Sequence, residues 1–188
     1  MKKIPTLFER KFENHRVVDI TDKITPGCEE AFFCGVATIK LDGSCCALIN
    51  GELYKRYDAK KGKTPPEGAI ACCEPDPITG HWSHWIKVDP NNPADKWFIR
   101  ALINTMFNAN NIDGTYEAIG PHFNGNPYGY DHDWLIKHGT RWIYVKRDFE
   151  SVKKYLEEHD TEGLVFWLNG EPVCKIKRTD FGLPWPVK

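Results

Sequence analysis

Residues 33–57, FCGVATIKLDGSCCALINGELYKRY, carry the pattern on which the fold turns. The stretch reads as strand, turn, strand: apolar and β-branched residues run through 36–41, Asp42-Gly43 interrupt them, and 45–49 resume the run. Asn50-Gly51 is the dipeptide of a tight hairpin, whose central residues need positive φ, and it returns the chain through Leu53 and Tyr54. Lys40 therefore stands at the end of a strand, just before a glycine turn.

Working outward, residues 60–77 are rich in Lys, Gly and Pro and read as a loop, interrupted by a short buried strand around 69–72. Residues 95–108 are spaced as a helix, with Asp95 able to cap it and Phe98, Leu102 and Met106 on one apolar face. A second helix fits 148–158. Strand character appears at 115–119, 142–145, 163–168 and 173–176, and the Gly-, Pro- and Asn-rich run through Gly129 reads as loop. Strands and helices do not alternate regularly and tight turns join several strands. The expected class is α+β, mainly antiparallel sheets with flanking helices, in a single domain spanning 1–188.

The 25 basic and 26 acidic residues leave a net charge of -1, so no broad positive field draws nucleic acid from a distance. Any such contact has to be local. Basic residues cluster at Lys55, Arg56, Lys60, Lys61 and Lys63, and again at Lys175, Lys177 and Arg178, where phosphate can be held; the first cluster reads equally well as a solvated face. The opening MKKIPTLFERKFE lacks the apolar region of a secretory signal, no stretch is long enough to cross a bilayer, and the cysteines number seven. Reduced thiols, a cytoplasmic location and no membrane partner are the expectation.

Four short segments carry the chemistry: Lys40-Leu-Asp42-Gly43, Thr115-Tyr-Glu117, Glu162-Gly163-Leu-Val-Phe166 and Lys175-Ile-Lys177. A lysine that attacks phosphorus must be neutral, yet a free lysine titrates near ~10.4. Nearby cations disfavour a further positive charge, and Lys175, Lys177 and a divalent metal can play that part for Lys40. The same cations would neutralise a triphosphate as pyrophosphate leaves. Carboxylates beside a polyphosphate repel it unless they hold metal or hydroxyl groups, which gives Asp42, Glu117 and Glu162 a role as metal-water or ribose ligands. A period of two puts Lys175 and Lys177 on one strand face.

Taken in order, these segments resemble nucleotidyltransferase motifs I, III, IV and V of polynucleotide ligases and capping enzymes, with Arg56 where motif Ia would fall. The wording DGTYEAIGPHFNGNPYG, then HDWLIKHG, then EGLVFWLNGEPVCKIKRTDFGLPWP is similar to the branch of ATP-dependent RNA ligases that joins 5′-phosphate and 3′-hydroxyl ends and includes the human enzyme. The resemblance implies an adenylation domain and a three-step reaction. ATP adenylates Lys40, AMP passes to an RNA 5′-phosphate, and a 3′-hydroxyl displaces it, with Mg2+ or Mn2+ as metal and RNA as partner. It also implies that Glu117 contacts the ribose, that Glu162 supports metal near the α-phosphate, and that Lys175 and Lys177 touch that phosphate. Gly43 and Gly163 would let backbone approach the nucleotide, and each is equally explicable as a turn glycine.

Eleven residues follow Lys177, so no OB domain and no motif VI are expected. Groups within this domain would then have to orient pyrophosphate. Ile39 stands where many relatives have an acid, so adenine recognition is expected to use backbone groups there. The competing readings are a DNA ligase, an RNA-end adenylating enzyme or a capping relative, and a non-catalytic RNA-end-binding module; no protein partner is indicated.

His81 and His84 have the look of a metal pair but lack further ligands at useful spacing, so zinc is not expected there. His122, His132 and His138 read as structural hydrogen-bonding groups, and Cys45-Cys46 and Cys72-Cys73 as buried free thiols. Phe123, Trp142, Tyr144 and Phe166 are faces on which a base can stack, with Trp142 or Tyr144 preferred.

Overall fold

The computed structural model describes residues 3–14, 16–106 and 112–187. In chain order the elements are β1 (Phe8–Glu13), β2 (Arg16–Ile24), α1 (Glu29–Cys34), β3 (Val36–Lys40), β4 (Ser44–Ile49), β5 (Glu52–Ala59) and β6 (Ile70–Ala71). There follow β7 (Trp82–Lys87), α2 (Lys96–Met106), β8 (Gly114–Ile119), β9 (Trp134–Lys137), β10 (Trp142–Ile143), α3 (Phe149–Glu158), β11 (Gly163–Leu168) and β12 (Glu171–Lys177). The class is α+β, and every named strand pair is antiparallel. The chain divides into two compact units, one of residues 1–3 and 43–138, the other of 4–42 and 139–188.

The unit of residues 43–138 is built on a six-stranded sheet in the order β6-β7-β5-β4-β8-β9. Alternation along the strands turns Cys46, Leu48, Leu53, Tyr116, Ala118 and Leu135 to one face, where they form a core with Ala101 and with Trp97, Phe98 and Leu102 of α2. The opposite face therefore receives Cys45, Arg56 and Glu117. The Asn50-Gly51 hairpin forms as read, with φ of 52° and 76° at its two central residues.

In the other unit a four-stranded sheet runs β10-β3-β11-β12. Ala37, Leu164, Phe166, Cys174 and Ile176 face a core shared with Phe32 of α1 and with Val152 and Leu156 of α3. Period two then leaves Lys40, Lys175 and Lys177 on the other face. Asp148 caps α3, its carboxylate accepting from the Ser151 N–H at 2.8 Å. A separate β1-β2 hairpin adds Phe8 and Ile20 to the same core.

Several local expectations are corrected. The first strand starts at Val36 as expected, after Phe33 and Cys34 close α1, but ends at Lys40, one residue short of Leu41. The strand near residue 70 is two residues long and, at the sheet edge, is exposed instead of buried. Asp95 is a buried acid paired with Lys55 and accepting from the Asp89 N–H, while Asn92 caps the short turn leading into α2. The Met106 side chain and residues 107–108 lie outside the described residues. Strands β1, β2, β7 and β9 went unread.

Candidate active site

Gly163 fixes the register of the lysine-bearing sheet: it lies opposite Lys40 on β3 and opposite Lys177 on β12. A side chain here is excluded by close approach, since an added Cβ would fall 2.1 Å from the Ile176 carbonyl oxygen. The neighbouring Glu162 is 5% exposed and accepts from both lysines, Lys40 Nζ on Oε2 and Lys177 Nζ on Oε1. Thr161, also buried, donates its hydroxyl to the Lys40 carbonyl at 3.3 Å. Lys175 shares the strand face of Lys177, and burial, then the charges of Lys40 and Lys177, lower its pKa to about 8. Three cations thus surround one carboxylate.

Ile39 packs against the core, and its N–H donates to the Arg141 carbonyl at 2.9 Å. Asp42 accepts from Trp185 Nε1 at 2.8 Å. Trp142 pairs in register with Thr38 on β3 yet is 73% exposed, its indole N–H donating to the Gly139 carbonyl. Tyr144 is 89% exposed, so both rings present open faces. Phe123 and Phe166, at 4% and 0%, are core residues and offer none.

The other unit places Gly43, Arg56 and Glu117 around an open cleft of about 470 Å3, which Cys45, Asp58 and Phe98 also line. Gly43 is required by close approach: a Cβ would lie 2.2 Å from the Ala118 carbonyl oxygen, and its own carbonyl accepts from Asn124 Nδ2 at 2.8 Å. Arg56 is held in place, its Nε donating to Asp58 at 2.9 Å and its terminal nitrogen to Ser83 Oγ at 2.8 Å. Lys55 points to buried Asp95, so two cations of the first basic cluster are already paired with acids.

Glu117 lies directly opposite Cys45 in the β4–β8 ladder, and its Oε2 is 2.9 Å from His138 Nε2. The other ring nitrogen of His138 is 2.9 Å from Thr115 Oγ1. Burial, then the Glu117 charge, push the Cys45 thiol up to about 12. His122 pairs with Asp133 and stacks on Trp97, as a structural histidine would. His84 is buried in β7 beside the Trp82 carbonyl while His81 is exposed, which separates the pair read from sequence. Sequence reading missed the grouping of Cys45, Glu117 and His138; the signal was the cross-strand register, which needs β9 to be recognised.

Comparison with curated proteins gives relatives named RNA ligase 1. The Danio rerio protein is 24% identical, with 99% of this chain and 82% of the relative covered. Those of Pongo abelii and Rattus norvegicus are 23% and 24% identical, covering 82% and 81% of this chain and 70% and 69% of the relatives. No protein-family profile matches the chain. The similarity extends over most of the sequence and supports an RNA ligase relationship. No helix among the described residues is long and apolar enough to cross a membrane.

Proposed function

We propose that this chain is an ATP-dependent RNA ligase that joins 5′-phosphate and 3′-hydroxyl RNA ends through AMP carried on Lys40. The observation that carries the reading is the cluster of Lys40, Lys175 and Lys177 around buried Glu162, fixed by three neighbouring strands. A nucleotide-binding module has no use for a strand-end lysine so surrounded, whereas a nucleophile needs both fixed position and cationic neighbours.

In the first step Lys40 Nζ, having lost a proton, attacks the α-phosphorus of ATP. The N–P bond forms as the bond to the bridging oxygen breaks, and pyrophosphate leaves. Lys175 and Lys177 face the phosphates and offset their charge. In the second step an RNA 5′-phosphate takes the AMP, freeing Lys40; in the third a 3′-hydroxyl attacks that phosphate and releases AMP.

Asp42 and Glu162 are hard oxygen donors, the ligand chemistry of Mg2+ or Mn2+. With both oxygens of Glu162 engaged by ammonium groups, a cation there would be held through water. When bound, the metal supplies charge neutralisation at the triphosphate. Glu117 and Arg56 are read as ribose and phosphate contacts, Gly43 and Ile39 as backbone neighbours of the nucleotide, and Trp142 as a stacking face. The similarity to proteins named RNA ligase 1 supports RNA as the acceptor.

A direct test incubates the protein with α-labelled ATP and magnesium, then adds single-stranded or nicked RNA, with matched DNA for comparison. Labelled protein followed by joined RNA is the expected course. Labelled protein that seals only DNA would move the acceptor to the alternative, and retention of RNA by a protein that never labels would leave a binding module.

A further inference from the structure

We propose that Cys45, Glu117 and His138 form a binding site for a thiophilic divalent cation, of the Zn2+ class, distinct from the oxygen-ligand chemistry read at Asp42 and Glu162. The side chains come from β4, from β8 and from the residue that follows β9, three neighbours in one sheet. Cys45 and Glu117 are a directly opposed pair in the β4–β8 ladder, so their side chains leave the same face. His138 follows β9, its N–H bonding to the Thr115 carbonyl, which sets it on that face diagonally from Glu117. The thiol sulfur, a carboxylate oxygen and an imidazole nitrogen all lie within 4.8 Å of one another.

Sulfur, nitrogen and oxygen donors together select zinc or cobalt over magnesium. In a tetrahedral site with Zn–S of about 2.3 Å and Zn–N of about 2.0 Å, donors sit roughly 3.3–3.5 Å apart, so side-chain shifts of about 1 Å close the set. Thr115 Oγ1 lies 2.9 Å from His138 Nδ1, where it can accept from an Nδ1–H once metal takes the Nε2 lone pair; metal binding then replaces the present contact between Nε2 and Glu117 Oε2. Three protein ligands leave a fourth position for water, and the cleft lined by Cys45 and Glu117 is open to supply it. On binding, the S–H bond of Cys45 breaks and its proton goes to solvent. The dication, thiolate and carboxylate then sum to zero charge. Arg56, which lines the same cleft, is a cation that would oppose the metal, and Asp58 offsets it through their ion pair.

If Glu117 contacts the ribose, a metal held here withdraws it from the nucleotide, and zinc slows adenylation; that consequence rests on the proposed function, while the site itself does not.

Cobalt(II) titration of the reduced, full-length protein, without ATP, tests the site. One equivalent is expected to bring a thiolate-to-cobalt charge-transfer absorption that zinc bleaches. The absorption is lost in Cys45→Ser and in His138→Ala, and is retained in the Cys72→Ser/Cys73→Ser control; circular dichroism establishes that each variant is folded. A folded wild-type protein without the absorption, or an undiminished absorption in folded Cys45→Ser, overturns the proposal. Neither outcome touches the ATP reaction, which is read separately in magnesium with chelator against heavier metals.

Discussion

Lys40 and Glu162, 122 residues apart in sequence, meet as an ion pair at the end of β3. Glu162 simultaneously accepts from Lys177, so one buried carboxylate is shared by two ammonium groups. The pair gives Lys40 a fixed direction. In the proposed reaction the amine has to leave this carboxylate and lose a proton before it attacks phosphorus.

Replacing the carboxylate alone tests this dependence. Glu162→Gln keeps the shape and removes the carboxylate charge that Lys40 and Lys177 share. Loss of charge-assisted hydrogen bonds of this kind costs roughly 1.5–3 kcal/mol. The variant is expected to unfold at lower denaturant by that amount and to lose adduct formation. Unchanged stability, read by urea titration, would contradict the ion-pair assignment.

Lys175 gives a pH signature. Its pKa lies at about 8 in the folded protein against an ordinary 10.5. Between those values the unfolded chain binds more protons, so this group makes stability rise with pH across that window; below it, both states are protonated and the penalty is constant. Lys175→Met is expected to be relatively more stable than wild type below pH 8, with the difference narrowing towards 10.5. A wild-type-minus-variant stability difference that stays flat with pH removes the basis for this shift.

Why these features were only partly legible follows from where their signals lie. Lys40 at a strand end, the Asn50-Gly51 hairpin and Gly163–Leu168 were readable because β-branched alternation and turn chemistry are local. The strands β1 and β2 were not, since FERKFE and RVVDITDKI mix charge with apolar residues and owe their form to pairing with each other. WSHWIK was read only for His84, set beside the preceding His81, and its strand identity came with β5 pairing. Asp95 looked like a cap because its partner, Lys55, is distant in sequence. The roles of Gly43 and Gly163 were ambiguous for the same reason: what forbids a side chain is a neighbouring strand's carbonyl.

That close approach yields a third expectation. In Gly163→Ala the new methyl would meet the Ile176 carbonyl at 2.1 Å, and backbone atoms cannot yield cheaply. Overpacking of this kind costs about 1–3 kcal/mol. A matching fall in thermal stability is expected, with Gly51→Ala, where space is open but φ is 76°, as a strain-only comparison. A Gly163→Ala protein as stable as wild type would refute the register at this point.

Trp142 separates stacking from packing. Being 73% exposed, it contributes little to the core, so Trp142→Ala is expected to leave the melting temperature nearly unchanged. If a nucleobase stacks on it, binding of ATP or RNA weakens by about 1–3 kcal/mol. Equal affinities by calorimetry would direct attention to Tyr144.

The most direct test of the central claim is the intact mass of the folded protein after exposure to ATP and magnesium. Gain of one AMP, acid-labile and absent from Lys40→Ala, is the expected result. A folded wild-type protein whose mass never changes, or a Lys40→Ala protein that gains AMP all the same, would contradict it.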